Sequence, residues 1–243
     1  MKKTVLLFFI FCGILTLNAQ NKQEFQVGLA MPSGDFADDD NESAIFDGSG
    51  VAANGLYIGY KLLTPIDTKG LYWTFNAGLM YNSLNSDFTE ELEDNIKDEG
   101  EYDGNLETTF SKYINIPIMV GLQYETLLSP STKLFGEVGL GINFLKITKM
   151  SFSYDSYDSN DNYTYEYESN YTFDSSMKLG YKIGGGVVLH DKYSIGLTYM
   201  GLGSHKVKFE SEEIWDGEKE KYKEKFDEAL SISSLNITLG LRF

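Results

Sequence analysis

Cysteine is almost absent: Cys12 is the only one in 243 residues. It lies inside an apolar run over residues 5–17, behind Lys2 and Lys3 and ahead of Asn18-Ala19-Gln20. A basic start, a short apolar stretch and a small residue read as a secretory signal peptide over residues 1–20, cleaved after Ala19 or Gln20. The run is too short for a spanning helix, and Phe11 stands where a lipoprotein signal needs a small residue. The expected mature domain, 21–243, therefore leaves the cytoplasm without a disulfide. A closed β-barrel can supply the missing stability, because every strand edge in it is paired.

Basic residues are scarce as well. Lys plus Arg is 20 against 36 for Asp plus Glu, a net charge of −16. That balance excludes nucleic acid, whose phosphates need a basic patch. Beyond the signal no apolar run reaches the ~18 residues of a transmembrane helix. Two separated histidines, His190 and His205, and no mature cysteine speak against zinc. Proline numbers only 4.

What is plentiful is aromatic residues and glycine: 17 Tyr, 16 Phe and 24 Gly, a composition that leans to β structure. Hydrophobicity alternates with period two in eight runs. They are Phe25 to Met31, Leu56 to Leu62, Leu71 to Tyr81, Ile114 to Tyr124, Leu134 to Phe144, Leu179 to Leu189, Tyr193 to Gly201 and Leu235 to Phe243. Roughly forty positions share the apolar parity and none is charged, where random placement would put about ten charges. The opposite parity carries glycine and small polar groups: Gly59, Thr74, Asn76, Gly121, Asn143, Gly184, Thr198 and Thr238. A water-facing sheet carries many Lys and Glu and avoids glycine, whereas a narrow lumen accepts small groups.

The connections alternate in length. Residues 63–69, 126–132 and 190–192 are short, while 32–50, 82–109, 147–176 and 203–233 are long. All but five of the 36 acids lie in the long ones. The expected fold is an eight-stranded antiparallel transmembrane β-barrel of a bacterial outer membrane, with four long outer loops and three short periplasmic turns.

The inward parity holds few charges: Glu24, Lys61, Glu137, Lys178, Lys182 and Arg242. Glu24 opens the first strand and Arg242 ends the last, so they should meet across the closing seam, near Lys61 and Glu137. Unpaired buried charge is costly, so ion pairing is expected, in a lumen that side chains nearly fill. The third long segment is rich in tyrosine. Tyr163, Tyr165 and Tyr167 alternate with polar residues, which suggests strands continuing above the membrane to a turn at 158–162. These rings are candidates for contact with a surface glycan or protein. In the fourth long segment Trp215, Tyr222, Phe226 and Leu230 fall near helical spacing, but Glu220 and Glu224 repel at i,i+4. Asp35, Asp38, Asp39, Asp40 and Glu42 crowd the first long segment, and Asp155, Asp158 and Asp161 the third, without an EF-hand pattern; no metal or other cofactor is expected. Ser204, His205 and Glu210 bear inspection as a hydrolytic set, although neighbours on a strand diverge. His205 reads as a surface histidine on the rim.

The segment Tyr113-Ile114-Asn115-Ile116-Pro117-Ile118-Met119 resembles the Tyr-x-x-Ile-Pro-Leu segment of the Bacteroidetes PorT-like (porin-family) outer-membrane barrels. Phe135-Gly136-Glu137-Val138-Gly139-Leu140-Gly141 and Lys182-Ile183-Gly184-Gly185-Gly186-Val187 are similar to the next two strands of that family. The ending Leu239-Gly240-Leu241-Arg242-Phe243 resembles its aromatic C-terminal signature, which implies handling by the barrel-assembly machinery through Phe243 and residence among outer-membrane lipid. The resemblance implies no functional residue. The first functional expectation is a structural or surface-interaction role for the acidic, Tyr-rich outer segments, without enzymatic activity. A narrow or gated solute channel and an outer-membrane hydrolase are its rivals.

Overall fold

The computed structural model describes residues 21–38, 49–67, 69–99, 106–157, 163–215, 218–225 and 229–243. Residues 1–20 with Cys12, the acids Asp39, Asp40 and Glu42, residues 158–162 with Asp158 and Asp161, and Phe226 lie outside the described residues.

Thirteen strands are described. They are β1 (Lys22–Pro32), β2 (Gly55–Pro65), β3 (Leu71–Ser83), β4 (Leu106–Thr109), β5 (Lys112–Ser129), β6 (Thr132–Ile147), β7 (Met150–Tyr157), β8 (Tyr163–Phe173), β9 (Ser176–Leu189), β10 (Tyr193–His205), β11 (Lys208–Trp215), β12 (Glu218–Lys225) and β13 (Leu230–Arg242). Eight of them close a barrel in the order β1-β13-β10-β9-β6-β5-β3-β2. Every neighbouring pair is antiparallel, and the seam between the first and last strands pairs Glu24 with Arg242 and Leu29 with Ile237. The eight alternating runs are these eight strands. Their apolar parity points outwards: Leu29 is 54% exposed, Val120 57%, Leu140 68% and Leu179 80%. The other parity is buried in the lumen.

The strands run beyond the alternating segments. The remaining five form a second sheet in the order β12-β11-β8-β7-β4 above one end of the barrel. The β7–β8 pairing sets Tyr154 opposite Tyr167 and Ser156 opposite Tyr165, so the third long segment does continue as strands. The fourth does too: β11 and β12 are strands, not a helix. Alternating Glu and Lys suits a strand there, since it sorts the two charges onto opposite faces.

The second long segment holds a helix that the period-two pattern conceals, α1 (Ser86–Glu99). Asn85 starts it, its side-chain Oδ1 accepting from the Asp87 backbone N–H at 3.1 Å. Phe88 is buried, and Leu92 and Ile96 pack against the same core, which is the i, i+4, i+8 stripe of an amphipathic helix.

The outer half of the lumen departs from the small, polar interior expected from sequence. Met80, Tyr113, Met119, Leu145, Met200, Leu202, Leu230 and Ile232 fill it. Residues of the first long segment dip into the mouth. Phe36, in a single 3-10 turn over Gly34–Phe36, is fully buried and meets Tyr113 edge to face at 5.1 Å between ring centroids. The Tyr113 hydroxyl donates to the Gly50 carbonyl at 2.7 Å.

A register shift in β10 between Gly201 and Gly203 changes the parity above it. Below the shift Thr198 and Met200 face inwards; above it His205, Val207 and Phe209 do. His205 is therefore fully buried and not a rim histidine. Its Nε2 lies 3.1 Å from the Leu202 carbonyl and 3.5 Å from the Asn143 amide. Lys178 is a second correction. It has inward parity but is exposed at the rim, because the strand leaves the closed lumen there.

Candidate functional site

Two regions hold the chain's unusual chemistry: the lumen and the outer sheet. At the end of the barrel where β1 begins and β13 ends, the lumen is packed with charge. Glu24, Glu125, Glu137, Lys61, Lys182 and Arg242 are all 5% exposed or less, three acids against three bases. Adjacent strands place them. Register sets Glu24 opposite both Arg242 and Lys61, so inward parity puts all three on one level. Arg242 Nε binds Glu24 Oε2 at 2.5 Å, and its Nη1 binds Glu125 Oε1 at 2.6 Å. Glu137 Oε2 accepts from Lys182 at 2.7 Å and from Lys61 at 2.9 Å. Lys61 lies 3.9 Å from Glu24.

Neutral groups complete the network. Gln26 donates to Glu24 at 2.6 Å, Gln123 to Glu125 at 2.9 Å, Lys61 to Gln123 at 3.2 Å and Lys182 to Asn76 at 2.6 Å. The inward glycines leave room for rings. A Cβ at Gly59 would lie 2.5 Å from the Tyr57 hydroxyl oxygen, and one at Gly186 2.8 Å from Phe135. The Phe135 ring in turn sits 5.2 Å from Lys61 Nζ. Five residues expected from sequence to form a lumen cluster, Glu24, Lys61, Glu137, Lys182 and Arg242, thus meet. Glu125 joins them unforeseen. Its parity follows from Gln123, but it lies one residue beyond the alternating run that ends at Tyr124. Lys22, half-buried, closes the network towards the barrel end, 3.2 Å from Glu125.

In the outer sheet one face is aromatic. Its lower rings are buried: Phe152, Phe173 and Phe209 belong to the outer core. Its upper rings form a row of tilted contacts. Tyr154 and Tyr167 lie 5.1 Å apart, Tyr167 and Trp215 4.5 Å apart, and Trp215 is 47% exposed. Tyr222 is on the same face, 43% exposed, its hydroxyl on Glu220. Tyr163 and Tyr165 share the parity of Tyr167 on β8, with backbone pairing to Tyr157 and Ser156. Of the three tyrosines singled out, Tyr167 has its partners in view; Trp215 was read only as a helix marker.

The opposite face is a charge lattice. Lys221 lies 3.2 Å from Glu212 and 3.7 Å from Glu210, and Lys219 lies 3.3 Å from Glu212. Hydrogen bonds from Lys221 and Lys219 hold the Glu212 carboxyl below its usual range.

The hydrolytic set does not assemble. Ser204 is exposed and bonds to Ser231 at 2.9 Å. His205 is buried in the lumen, and Glu210 pairs with Lys221 and Lys223. Among the described residues no group of three metal-ligating side chains occurs.

Residues 4–243 match the family model described as outer membrane protein beta-barrel domain. No curated protein sequence matches. Three solved structures are similar in shape at low identity. A major outer membrane protein of Thermus thermophilus is 14% identical, with a TM-score of 0.46 over 93% of this chain and 100% of that one. Ail of Yersinia pestis, in complex with the heparin analogue sucrose octasulfate, is 11% identical, with a TM-score of 0.42 over 92% and 99%. OprG of Pseudomonas aeruginosa is 12% identical, with a TM-score of 0.42 over 93% and 96%. The barrel is an outer-membrane protein, and the chain belongs to the outer membrane protein beta-barrel domain family.

Proposed function

We propose that this protein is a closed outer-membrane barrel that works by surface contact, made by the sheet above the membrane rather than by transport through the lumen. The observation that carries this reading is the row of tilted, contacting rings Tyr154, Tyr167 and Trp215 on a sheet anchored by a filled barrel. Rigid aromatic faces bind with little loss of side-chain entropy, which suits sugar rings and protein surfaces alike. Glu213 shares the face, with Glu218 and Glu220 beside it, so a neutral or basic glycan or protein fits better than a sulfated one. Within the family, Tyr113 to Met119 and the glycine-rich strands support a PorT-like, Bacteroidetes-type assignment. The first twenty residues act as the export signal, and Phe243 addresses the chain to the assembly machinery. No catalytic role is assigned, because Ser204 and His205 point apart.

A Trp73→Phe variant leaves Trp215 as the only tryptophan, since the chain has two. Its fluorescence should change on titration with a neutral surface glycan or a basic cell-surface protein, and Tyr167→Ala should weaken that binding. Single-channel recording on refolded protein is expected to show no steps. Regular conductance steps would support the channel reading instead.

A further inference from the structure

Where the barrel strands leave the apolar band, one half of the rim is lysine and the other half is not. Lys112 opens β5, Lys146 ends β6, Lys149 follows it, Lys206 follows β10 and Lys208 opens β11. The first two continue the outward parity of their strands. Lys146 stands two residues beyond lipid-facing Phe144, roughly 7 Å along the strand. Lys206 and Lys208 take outward parity only because the β10 register shift turns His205, Val207 and Phe209 inwards. The strands involved, β5, β6 and β10, flank β9 and form one continuous stretch of barrel wall. On β1, β3 and β13 the corresponding rim residues are Ser33, Ser83, Ser231 and Ser233.

All five lysines are exposed. Among the described residues none of them lies within salt-bridge distance of a carboxylate, unlike Lys219, Lys221 and Lys223 of the outer sheet. Lys146 donates to the Phe173 carbonyl at 2.8 Å. Lys112 sits 5.9 Å from the ring centre of Tyr81, itself on the outward face. Lys206 and Lys208 line a 200 Å³ depression with Ser175, Ser176 and one carboxylate, Asp174. Lys149 and Lys208 also border a 740 Å³ cleft with Lys221 and Lys223 and four acids, Asp174, Glu210, Glu212 and Glu224, of which Glu210 and Glu212 pair with β12 lysines. This cationic half-collar stands on a protein of net charge −16.

We infer that the half-collar of Lys112, Lys146, Lys149, Lys206 and Lys208 binds the phosphate groups of phosphorylated lipid in the outer leaflet. The position argues for lipid over any soluble partner. An exposed apolar wall lies directly below these lysines: Phe144, Met177 and Leu179 are 40%, 57% and 80% exposed. Acyl chains cover that wall while the ammonium groups reach the headgroup level on flexible stems. The acids above the membrane repel anionic headgroups, so the collar also sets how deep and at what tilt the barrel sits. On this account the lipid next to β5, β6, β9 and β10 is held, and the lipid next to the serine half exchanges freely.

The test is native mass spectrometry of the detergent-purified barrel, titrated with lipid A carrying its phosphates and with the same lipid dephosphorylated. The wild type should bind the phosphorylated form about tenfold tighter or better, given that one lysine at an anionic surface is worth about fivefold. Replacing all five lysines, together with the exposed rim Lys178 of β9, with glutamine should abolish the preference, whereas Lys219→Gln with Lys221→Gln and Lys223→Gln should leave it intact. If the glutamine variant does not fold, the five Lys→Arg changes keep the charge and should keep the preference. Inorganic pyrophosphate should not displace the lipid; displacement would assign the site to free phosphate and reject the lipid. Equal binding of the two lipids by the wild type would overturn the inference outright.

Discussion

At the scale of single residues, Arg242 is the clearest case. It joins the carboxylates of Glu24 and Glu125 across strands far apart in sequence. Arg242→Met leaves those acids buried without their partner, which should cost about 3–5 kcal/mol. The measurement is the urea midpoint at which the compact, fast-migrating barrel is lost on unboiled gels. Leu140, 68% exposed to lipid, tests the outer surface. Leu140→Arg should cost about 2–4 kcal/mol if it lies near the bilayer midplane, and a drop in folded yield in vesicles would report it. No loss at Leu140 would contradict the lipid-facing parity.

At the scale of elements, β10 holds the feature that reorganises the outer half. Gly203 has a φ of +91° at the register shift, a conformation other residues adopt only with strain. A Cβ there would also lie 2.6 Å from the Leu179 carbonyl. Gly203→Val should cost roughly 1–3 kcal/mol and loosen His205, Val207 and Phe209, seen as faster amide exchange at the start of β11 than at Ile195. The helix α1 offers a second test. Leu92→Asp removes the middle of the stripe that packs on the outer core, so protease should cut near α1 sooner while the barrel stays intact. Period two was so strong in the neighbouring strands that the four-residue spacing of Phe88, Leu92 and Ile96 went unread, though Asn85 and that spacing were signal enough.

At the scale of the whole molecule, the barrel and the outer sheet differ in how they are held. Lumen ion pairs are shielded from solvent, while those of β11 and β12 are exposed and screened. Glu212 has its folded pKa depressed by Lys221 and Lys219. A depressed carboxylate adds stability that is present above its unfolded pKa and lost as pH falls through the folded one. Acidification should therefore loosen the β11–β12 pairing before the barrel opens. Trp215 fluorescence in the Trp73→Phe protein should shift at a higher pH than the unboiled gel band does. Coincident transitions would show that the sheet is not a separate unit.

The sequence by itself determined the barrel, because period two and an uncharged parity are local patterns that lipid imposes on every strand. It also determined that Glu24, Lys61, Glu137, Lys182 and Arg242 share a lumen, since strand order and parity follow from the same alternation. Only the tertiary structure decided the rest. His205 and Lys178 traded surface and interior because one register shift and the end of barrel closure cannot be read from alternation. Phe36 from the first long segment met Tyr113 of β5 to cap the mouth, and Glu125 entered the charge network through strand length. The outer sheet pairs β8 with β11 across the intervening β9 and β10. Contacts between residues so distant in sequence depend on how the whole chain closes, and no local pattern records them.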